Sequence, residues 1–244
     1  MKLSVCIPMY NESAVIEDTA KTLSMYMSSH FEDYEILFCD DGSADRTSEI
    51  IRALDLPNVK LLQQPVNQGK GAAVRAAMLA ATGDYVLFTD ADLAYGTEVI
   101  GRIAEAFSDD PESDLVIGTR NLDKNGYHGY TFPRKLASKV YIGLLCLVGG
   151  FRLSDSQCGC KAFSGKAAKE IFSRCTVNGF AFDFEVLLWA DELDLKIKEI
   201  PVRVINHRES KIRLFRDSLK MLNDVLQIRK NVRRSAKSKK ISKK

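Results

Sequence analysis

An α/β fold, with a mostly parallel central sheet flanked by helices, follows from three features of the sequence. Apolar runs and amphipathic segments alternate four times within the first 90 residues, the order that builds parallel strands joined by helical crossovers. Several of the runs end in polar or glycine-containing turns, and ligands of such sheets sit beyond the carboxyl ends of the strands. The chain has 244 residues, 45% hydrophobic and 27% charged, which is ample for one full core.

The elements follow in order. Leu3–Ile7 is a short apolar strand that Pro8 is expected to stop, because proline gives no N–H to a ladder. Val15, Ile16, Thr19, Leu23 and Tyr26 recur near helical spacing, predicting a helix over Ala14–Met27. Tyr34–Cys39 reads as the second strand, Asp45–Leu54 as a short helix and Val59–Gln63 as the third strand. Ala-rich Lys70–Ala81 is helical, Gly83 ends it, and Asp84–Thr89 is the fourth strand. Beyond these come a helix at Thr97–Phe107, a strand at Leu115–Gly118 and an apolar helix at Leu136–Val148. A strand at Gln157–Phe163, helices near Lys166–Phe172 and Phe182–Asp191, an alternating strand at Lys196–Val204 and a last helix at Ser210–Arg229 complete the pattern. A single domain is expected over residues 1–228.

Charge is unevenly distributed. Nine of the 35 Lys and Arg residues lie in 229–244, which holds no acid, so residues 1–228 carry 26 bases against 32 acids. A basic tail, expected to be disordered, therefore follows an acidic globule, and such tails bind anionic surfaces. The longest uncharged run, Val140–Phe151, has twelve residues, short of the roughly 20 that a spanning helix needs. The N-terminal residues read as a strand rather than a signal peptide. Six scattered cysteines fit neither a zinc nor a redox spacing and read as reduced, structural thiols of a cytosolic protein.

Three polar clusters fall at one rim of the expected sheet: Tyr10-Asn11-Glu12 after the first strand, Asp40-Asp41 after the second, and Asp90-Ala91-Asp92 after the fourth. Two carboxylates two residues apart suit a hard divalent cation, Mg²⁺ or Mn²⁺, which would neutralise charge on a leaving diphosphate. The same pair also serves as a solvated helix cap. In the turns Tyr10-Asn11-Glu12 and Asp40-Asp41-Gly42-Ser43, Asn, Asp and Ser suit helix caps, and a carboxylate equally suits the imide N–H of a uracil, with Tyr10 against the base. Asn67-Gln68-Gly69-Lys70-Gly71 lacks the phosphate-loop spacing but opens a helix N-terminus that suits a diphosphate. Arg134 and Ser138 share a face of the apolar helix. With Arg120 and the cluster around Lys211 they supply cations for an acceptor phosphate, while Asp155 and Asp183 supply carboxylates near a reaction centre.

These blocks together resemble glycosyltransferase family 2, with a GT-A fold. The likeness runs from about Leu3 to Arg229 and is carried by Pro8-Met-Tyr-Asn-Glu12, Asp40-Asp-Gly-Ser-Ala-Asp-Arg-Thr47, Asn67-Gln-Gly-Lys-Gly71, Asp90-Ala-Asp92, Gly118-Thr-Arg120, Asp155-Ser-Gln-Cys-Gly-Cys-Lys-Ala-Phe163 and Phe180-Ala-Phe-Asp-Phe-Glu185. Within the family the chain is most similar to the polyprenyl-phosphate sugar synthases, above all the dolichyl-phosphate β-glucosyltransferase branch. The resemblance implies a nucleotide-sugar half over 1–120 and an acceptor half over 121–228. It implies that Pro8, Tyr10, Asn11, Glu12 and Asp41 hold the nucleoside, that Asp90 and Asp92 hold metal and diphosphate, and that Arg120, Arg134 and Ser138 contact the acceptor phosphate. Lys70 and Asp40 join the nucleotide-sugar group, and Lys211 the acceptor group.

The implied reaction is inverting transfer of a hexose, glucose from UDP-glucose foremost, onto a dolichyl or undecaprenyl phosphate. A cation at Asp92 would stabilise the departing UDP, Arg120 would orient the attacking phosphate, and Asp155 or Asp183 would orient the nucleophile or the sugar hydroxyls. Two alternatives stand beside it: a mannosyl donor or hydroxyl acceptor within the same family, and a non-catalytic module binding a nucleotide sugar or nucleic acid. The main reading expects no nucleic-acid partner. It expects a cytoplasmic protein, peripheral on the inner face of a membrane through Ser210–Lys244, or one that needs a separate membrane protein.

Overall fold

The computed structural model describes residues 1–206 and 224–236. Seven strands form one mixed sheet in the order β3-β2-β1-β4-β6-β5-β7. They are β1 (Leu3–Met9), β2 (Tyr34–Asp40), β3 (Val59–Gln63), β4 (Tyr85–Phe88), β5 (Leu115–Thr119), β6 (Lys161–Ser164) and β7 (Ile197–Pro201). Strand β6 runs antiparallel to both β4 and β5, while the β1–β2, β1–β4, β2–β3 and β5–β7 pairs are parallel. Within residues 1–206, seven α-helices flank the sheet: α1 (Ile16–His30), α2 (Thr47–Leu54), α3 (Lys70–Ala80), α4 (Glu98–Asp109), α5 (Phe132–Gly149), α6 (Gly165–Phe172) and α7 (Phe182–Glu192).

Strand periodicity sorts side chains to two faces. Cys6, Leu37, Cys39, Val86 and Phe88 pack with Ala73, Ala77, Phe172, Leu187 and Trp189 on one side. Leu3, Val5, Ile7, Ile36, Phe38 and Leu87 pack with Ile16, Leu23, Ile100, Ile103 and Phe107 on the other. Near-continuous apolar strands are the consequence of burying both faces.

Several boundaries differ from the sequence reading, and three of these differences bear on the site or the C-terminal segment. Strand β1 passes through Pro8, because pairing to β4 ends at Cys6↔Phe88 while pairing to β2 continues to Met9↔Asp40. Cys6 accepts from the β4 side and Met9 from the β2 side, so Pro8 lacks its N–H on the side where no partner strand remains. Residues 157–160 form a loop, and β6 starts only at Lys161. At the C-terminus, residues 224–236 are helical. Val225, Ile228 and Val232 are buried in the core, so the chain from Arg229 to 236 is a docked helix rather than a disordered tail. Residues 210–223 of the expected last helix, with Lys211, lie outside the described residues, as do 237–244.

Candidate active site

The turns after β1 and β2 are bolted together. Asn11 takes a left-handed conformation (φ 52°), which asparagine tolerates better than most residues. Its amide N–H donates to Ser43 Oγ at 2.9 Å and its Oδ1 accepts from the Ala44 amide at 2.9 Å. The Glu12 amide donates to Thr47 Oγ1 at 2.8 Å and the Ser13 amide to Asp45 at 3.1 Å. Burial pushes the Asp45 carboxyl up, but hydrogen bonds from Thr47 and Ser13 outweigh it and hold the group down at about 2. Tyr10 remains 41% exposed on the rim, free to lie against a planar ligand.

Asp40 and Asp41 are both buried and perform different tasks. Asp40 reaches no solvent. It accepts from the Ser43 amide at 3.0 Å and from the Ser48 hydroxyl, so in this structure it braces the turn from beneath. Asp41 accepts from the amides of Gln68 at 2.9 Å and Gly69 at 2.7 Å. Gly69 has φ 109°, and a Cβ there would lie 2.4 Å from the Asn178 carbonyl oxygen, so only glycine fits. The Asn178 carbonyl in turn accepts from the Gly71 amide at 2.7 Å. The turn that opens α3 is thereby gripped from two sides.

Lys70, the first residue of α3, ion-pairs with Asp90 at the end of β4. Burial alone would push its pKa down, but Asp90, Asp183 and Asp92 reverse this and raise it, keeping the ammonium charged. Asp92 accepts from the Ala94 amide at 3.1 Å. Its pKa is raised by burial and then by the neighbouring Asp90 charge. With Asp92 beside Asp90 and Lys70 paired to Asp90 only, the pair carries an excess of negative charge. Thr19 donates to the Ala91 carbonyl at 2.6 Å, and the Asn206 amide to the carbonyls of Asp92 and Leu93 at 3.2 and 3.1 Å. A cavity of about 470 Å³ opens beside Asp92, lined also by Val15, Thr19, Ile205 and Asn206.

The loop before β6 packs directly against Asp90. A Cβ on Gly159 would lie 2.3 Å from Asp90 Oδ2, so the backbone rests against that carboxylate. Lys161 is fully buried and donates to the Cys158 carbonyl at 2.7 Å and to Asp183 at 2.6 Å. Sequence reasoning quoted this lysine without giving it a role; a lone charge inside an apolar strand was the available signal. Glu185, from the same Phe180–Glu185 block as Asp183, accepts from the Thr176 and Val177 amides and so shapes the loop that holds Gly71.

The acceptor-side residues gather around two tyrosines. Arg120 makes a bidentate pair with Asp155, Nε at 2.6 Å and Nη2 at 2.9 Å, while Nη1 reaches the Tyr130 hydroxyl at 3.4 Å. Burial works against the charge of Arg120, and Asp155 more than offsets it. Asp155 has no exposed surface and also accepts from the Gln157 amide at 3.1 Å, so it orients Arg120 rather than touching a reactant. Arg120 lies over the Tyr127 ring, 5.2 Å from its centre, and Arg134 over Tyr130 at 4.4 Å. Ser138 borders the Tyr127 phenol. Tyr127, Tyr130, Lys135 and Lys139 escaped the sequence reading because an aromatic–cation cluster has no fixed spacing.

A nucleotide-binding sheet whose carboxyl-end rim carries paired acids, a glycine-hinged lysine turn and a neighbouring cationic cluster defines a GT-A transferase acting on a nucleotide-activated sugar. The glycosyl transferase family 2 profile matches residues 4–172, and the chain belongs to that family, as its motifs implied. It is 34% identical over 236 residues to a dolichyl-phosphate beta-glucosyltransferase of Trichomonas vaginalis, covering 93% of this chain and 72% of that one. It is 31% identical over 243 residues to the Dictyostelium discoideum protein of the same name, covering 93% and 73%. Among solved structures, glucosyl-3-phosphoglycerate synthase from Mycobacterium tuberculosis, bound to Mn²⁺ and UDP-glucose, superposes with a TM-score of 0.68 at 21% identity, covering 93% of this chain and 79% of that one.

Proposed function

We propose that the chain transfers glucose from UDP-glucose to a dolichyl-class polyprenyl phosphate, inverting the anomeric centre. The observation that carries this reading is the pairing of Asp90 and Asp92 at one wall with the Arg120–Asp155 fork and Arg134 at the other. The first wall suits a departing nucleoside diphosphate and the second an attacking phosphate monoester. The names of the relatives supply the glucosyl group and the dolichyl phosphate, and UDP-glucose is the ligand of the solved structure that shares the fold.

The rim residues Tyr10, Asn11, Glu12 and Asp41 would hold the nucleoside, with Pro8 shaping the strand end beneath them. Asp90 and Asp92 fit a divalent cation: they are hard oxygen donors, and the Lys70 ammonium already answers part of their charge. Mg²⁺ or Mn²⁺ held there would neutralise negative charge on the departing UDP. Lys70, charged and beside Asp90, donates to the same diphosphate. Asp183, held by Lys161 at the start of α7, faces the sugar hydroxyls.

The acceptor needs no strong base, since a phosphate monoester is already anionic near neutral pH. The task left to the protein is alignment. Asp155 locks Arg120 so that one guanidinium edge remains for the phosphate, and Arg134 and Ser138 stand beside it on α5. Lys211, outside the described residues, joins this group on the sequence argument alone.

A lipid acceptor also accounts for the outer face of α5. Phe132, Leu136, Val140, Leu144 and Leu147 form an exposed apolar stripe, and Phe132 and Leu147 are each 78% exposed. Spacing of four, four, four and three residues puts them on one side of the helix. No helix among the described residues is long and apolar enough to cross a membrane. The stripe suits a helix lying in the bilayer surface, with the basic segment after Arg229 adding attraction to anionic lipid. The membrane face is taken to be cytoplasmic, and a separate membrane protein remains compatible with this arrangement.

Incubation of the full chain with labelled UDP-glucose, Mn²⁺ and dolichyl phosphate tests the reading. Label is expected in a single lipid product. Label confined to water, with UDP-glucose and with GDP-mannose alike, overturns it.

A further inference from the structure

Three cations converge on one ring. Arg120 lies 5.2 Å from the Tyr127 centroid, Lys135 Nζ 5.6 Å and Lys139 Nζ 5.9 Å. The Tyr127 ring packs edge-on against Tyr130 at 5.5 Å, and Tyr130 carries Arg134. Tyr127 is 7% exposed, with its hydroxyl beside Ser138.

The charges do not balance. Asp155 answers Arg120, whereas Lys135 and Lys139 meet no carboxylate at ion-pair distance among the described residues. They lie one helical turn apart on α5, where like charges repel. A ring face draws them together, and an anion between them would remove the repulsion. Their place on α5 identifies the anion. At 100° per residue they stand between the buried face, which includes Ile142 and Leu145, and the exposed stripe of Phe132, Leu136 and Val140. A ligand reaching them from the stripe has an apolar body and a charged head.

We propose that Tyr127, Lys135 and Lys139 form a capture subsite for the acceptor's phosphate monoester, placed at the polar border of the α5 stripe and ahead of the Arg120–Arg134 position. The inference rests on the functional reading above and adds residues to it. Lys135 and Lys139 take the phosphate as it leaves the headgroup layer. Tyr127 is a positioning residue that holds both ammoniums and Arg120 on one side of the cleft, so the phosphate passes from the lysines to the arginines without re-entering water.

The test is steady-state kinetics of the full chain with Lys135→Gln, Lys139→Gln and the double variant. Three acceptors are compared: dolichyl phosphate in neutral vesicles, the same lipid in anionic vesicles, and a water-soluble short prenyl phosphate. The double variant is expected to raise the KM for all three acceptors about tenfold, as loss of charge-assisted contacts does, with the KM for UDP-glucose within about twofold. Lys135→Arg with Lys139→Arg is expected to restore the acceptor KM. Tyr127→Leu raises it with both lysines present, and Tyr127→Phe, which keeps the ring, does not. A rise seen only with anionic vesicles means that the lysines bind the bilayer, and the subsite is wrong; an unchanged KM has the same meaning. If wild type glucosylates no prenyl phosphate, the functional reading fails first. Inorganic phosphate then decides the subsite separately: thermal stabilisation of wild type, lost in the double variant, supports it, and equal response overturns it.

Discussion

The two walls of the cleft are built in opposite ways. On the nucleotide side, the turns after β1, β2 and β3 are held together by hydrogen bonds from backbone amides to Ser43, Thr47, Asp45 and Asp41. Its charged groups are partly sheltered and mutually tuned. On the acceptor side, apart from the Arg120–Asp155 fork, the charges rest on aromatic faces along a helix whose outer stripe is bare. A small polar ligand of fixed shape is best met by a rigid, prepaid frame. A long lipid arriving from a surface is better met by cations that reach and by a face that stays apolar.

Removal of the acid pair should give the largest effect. Asp92→Asn is expected to lower kcat/KM at least about a hundredfold, the size of a lost electrostatic stabiliser. The sign of its stability effect is the opposite. Burial and Asp90 raise the Asp92 pKa in the folded chain, so its ionised form costs stability above that pKa. The thermal midpoint at pH 7 should therefore rise while turnover collapses. A variant that keeps both turnover and midpoint would erase the distinction between a sheltered frame and an exposed one.

Asp155→Ala comes next, and it sharpens the comparison because it touches the one rigid device on the acceptor wall. It leaves Arg120 buried without its partner, a change costing roughly 3–5 kcal/mol. Measured by chemical denaturation, that loss should appear together with a raised acceptor KM and unaltered UDP affinity by calorimetry. Loss of UDP affinity instead would mean that the two walls are one unit.

On the outer face, Phe132→Ser with Leu147→Ser removes two largely exposed side chains, each worth roughly 1.5–3 kcal/mol if buried in lipid. Flotation with neutral vesicles should fall at least about tenfold, while turnover of a water-soluble prenyl phosphate persists. Equal flotation of variant and wild type would take α5 away from the membrane.

Much of the frame was legible because it is periodic. The limits of β3 match the apolar run Val59–Gln63, and α3 differs from its reading by one residue. The acid pair was legible because Asp90 and Asp92 sit just past an apolar strand. What escaped depended on three-dimensional partners. Pro8 continues β1 only because β4 has already ended. Lys161 finds Asp183 from 22 residues away and Arg120 finds Asp155 from 35, separations that carry no local pattern. Residues 229–236 read as a basic tail by composition, yet Val232 and Ala236, one helical turn apart, help dock them on the core.

The smallest effect expected lies in the clamp between the first two turns. Asp45 is held at about 2 by Thr47 and Ser13 against the pull of burial, below the roughly 3.9 of an unfolded aspartate. A depressed carboxyl stabilises the fold above its unfolded value, and that contribution disappears as pH falls from about 4 through 2. Since Asp45 is partly exposed, solvent screens the gain, and the change should be small. Asp45→Asn should therefore lose a little stability at pH 7 and flatten the acid limb of a stability–pH curve between those values. UDP affinity reports whether the clamp matters to function: it should weaken in Asp45→Asn at neutral pH, whereas acceptor KM should not move. If the acceptor KM moves equally, the turns and the α5 cluster communicate, and the contrast between a rigid wall and an adaptable one no longer describes this cleft.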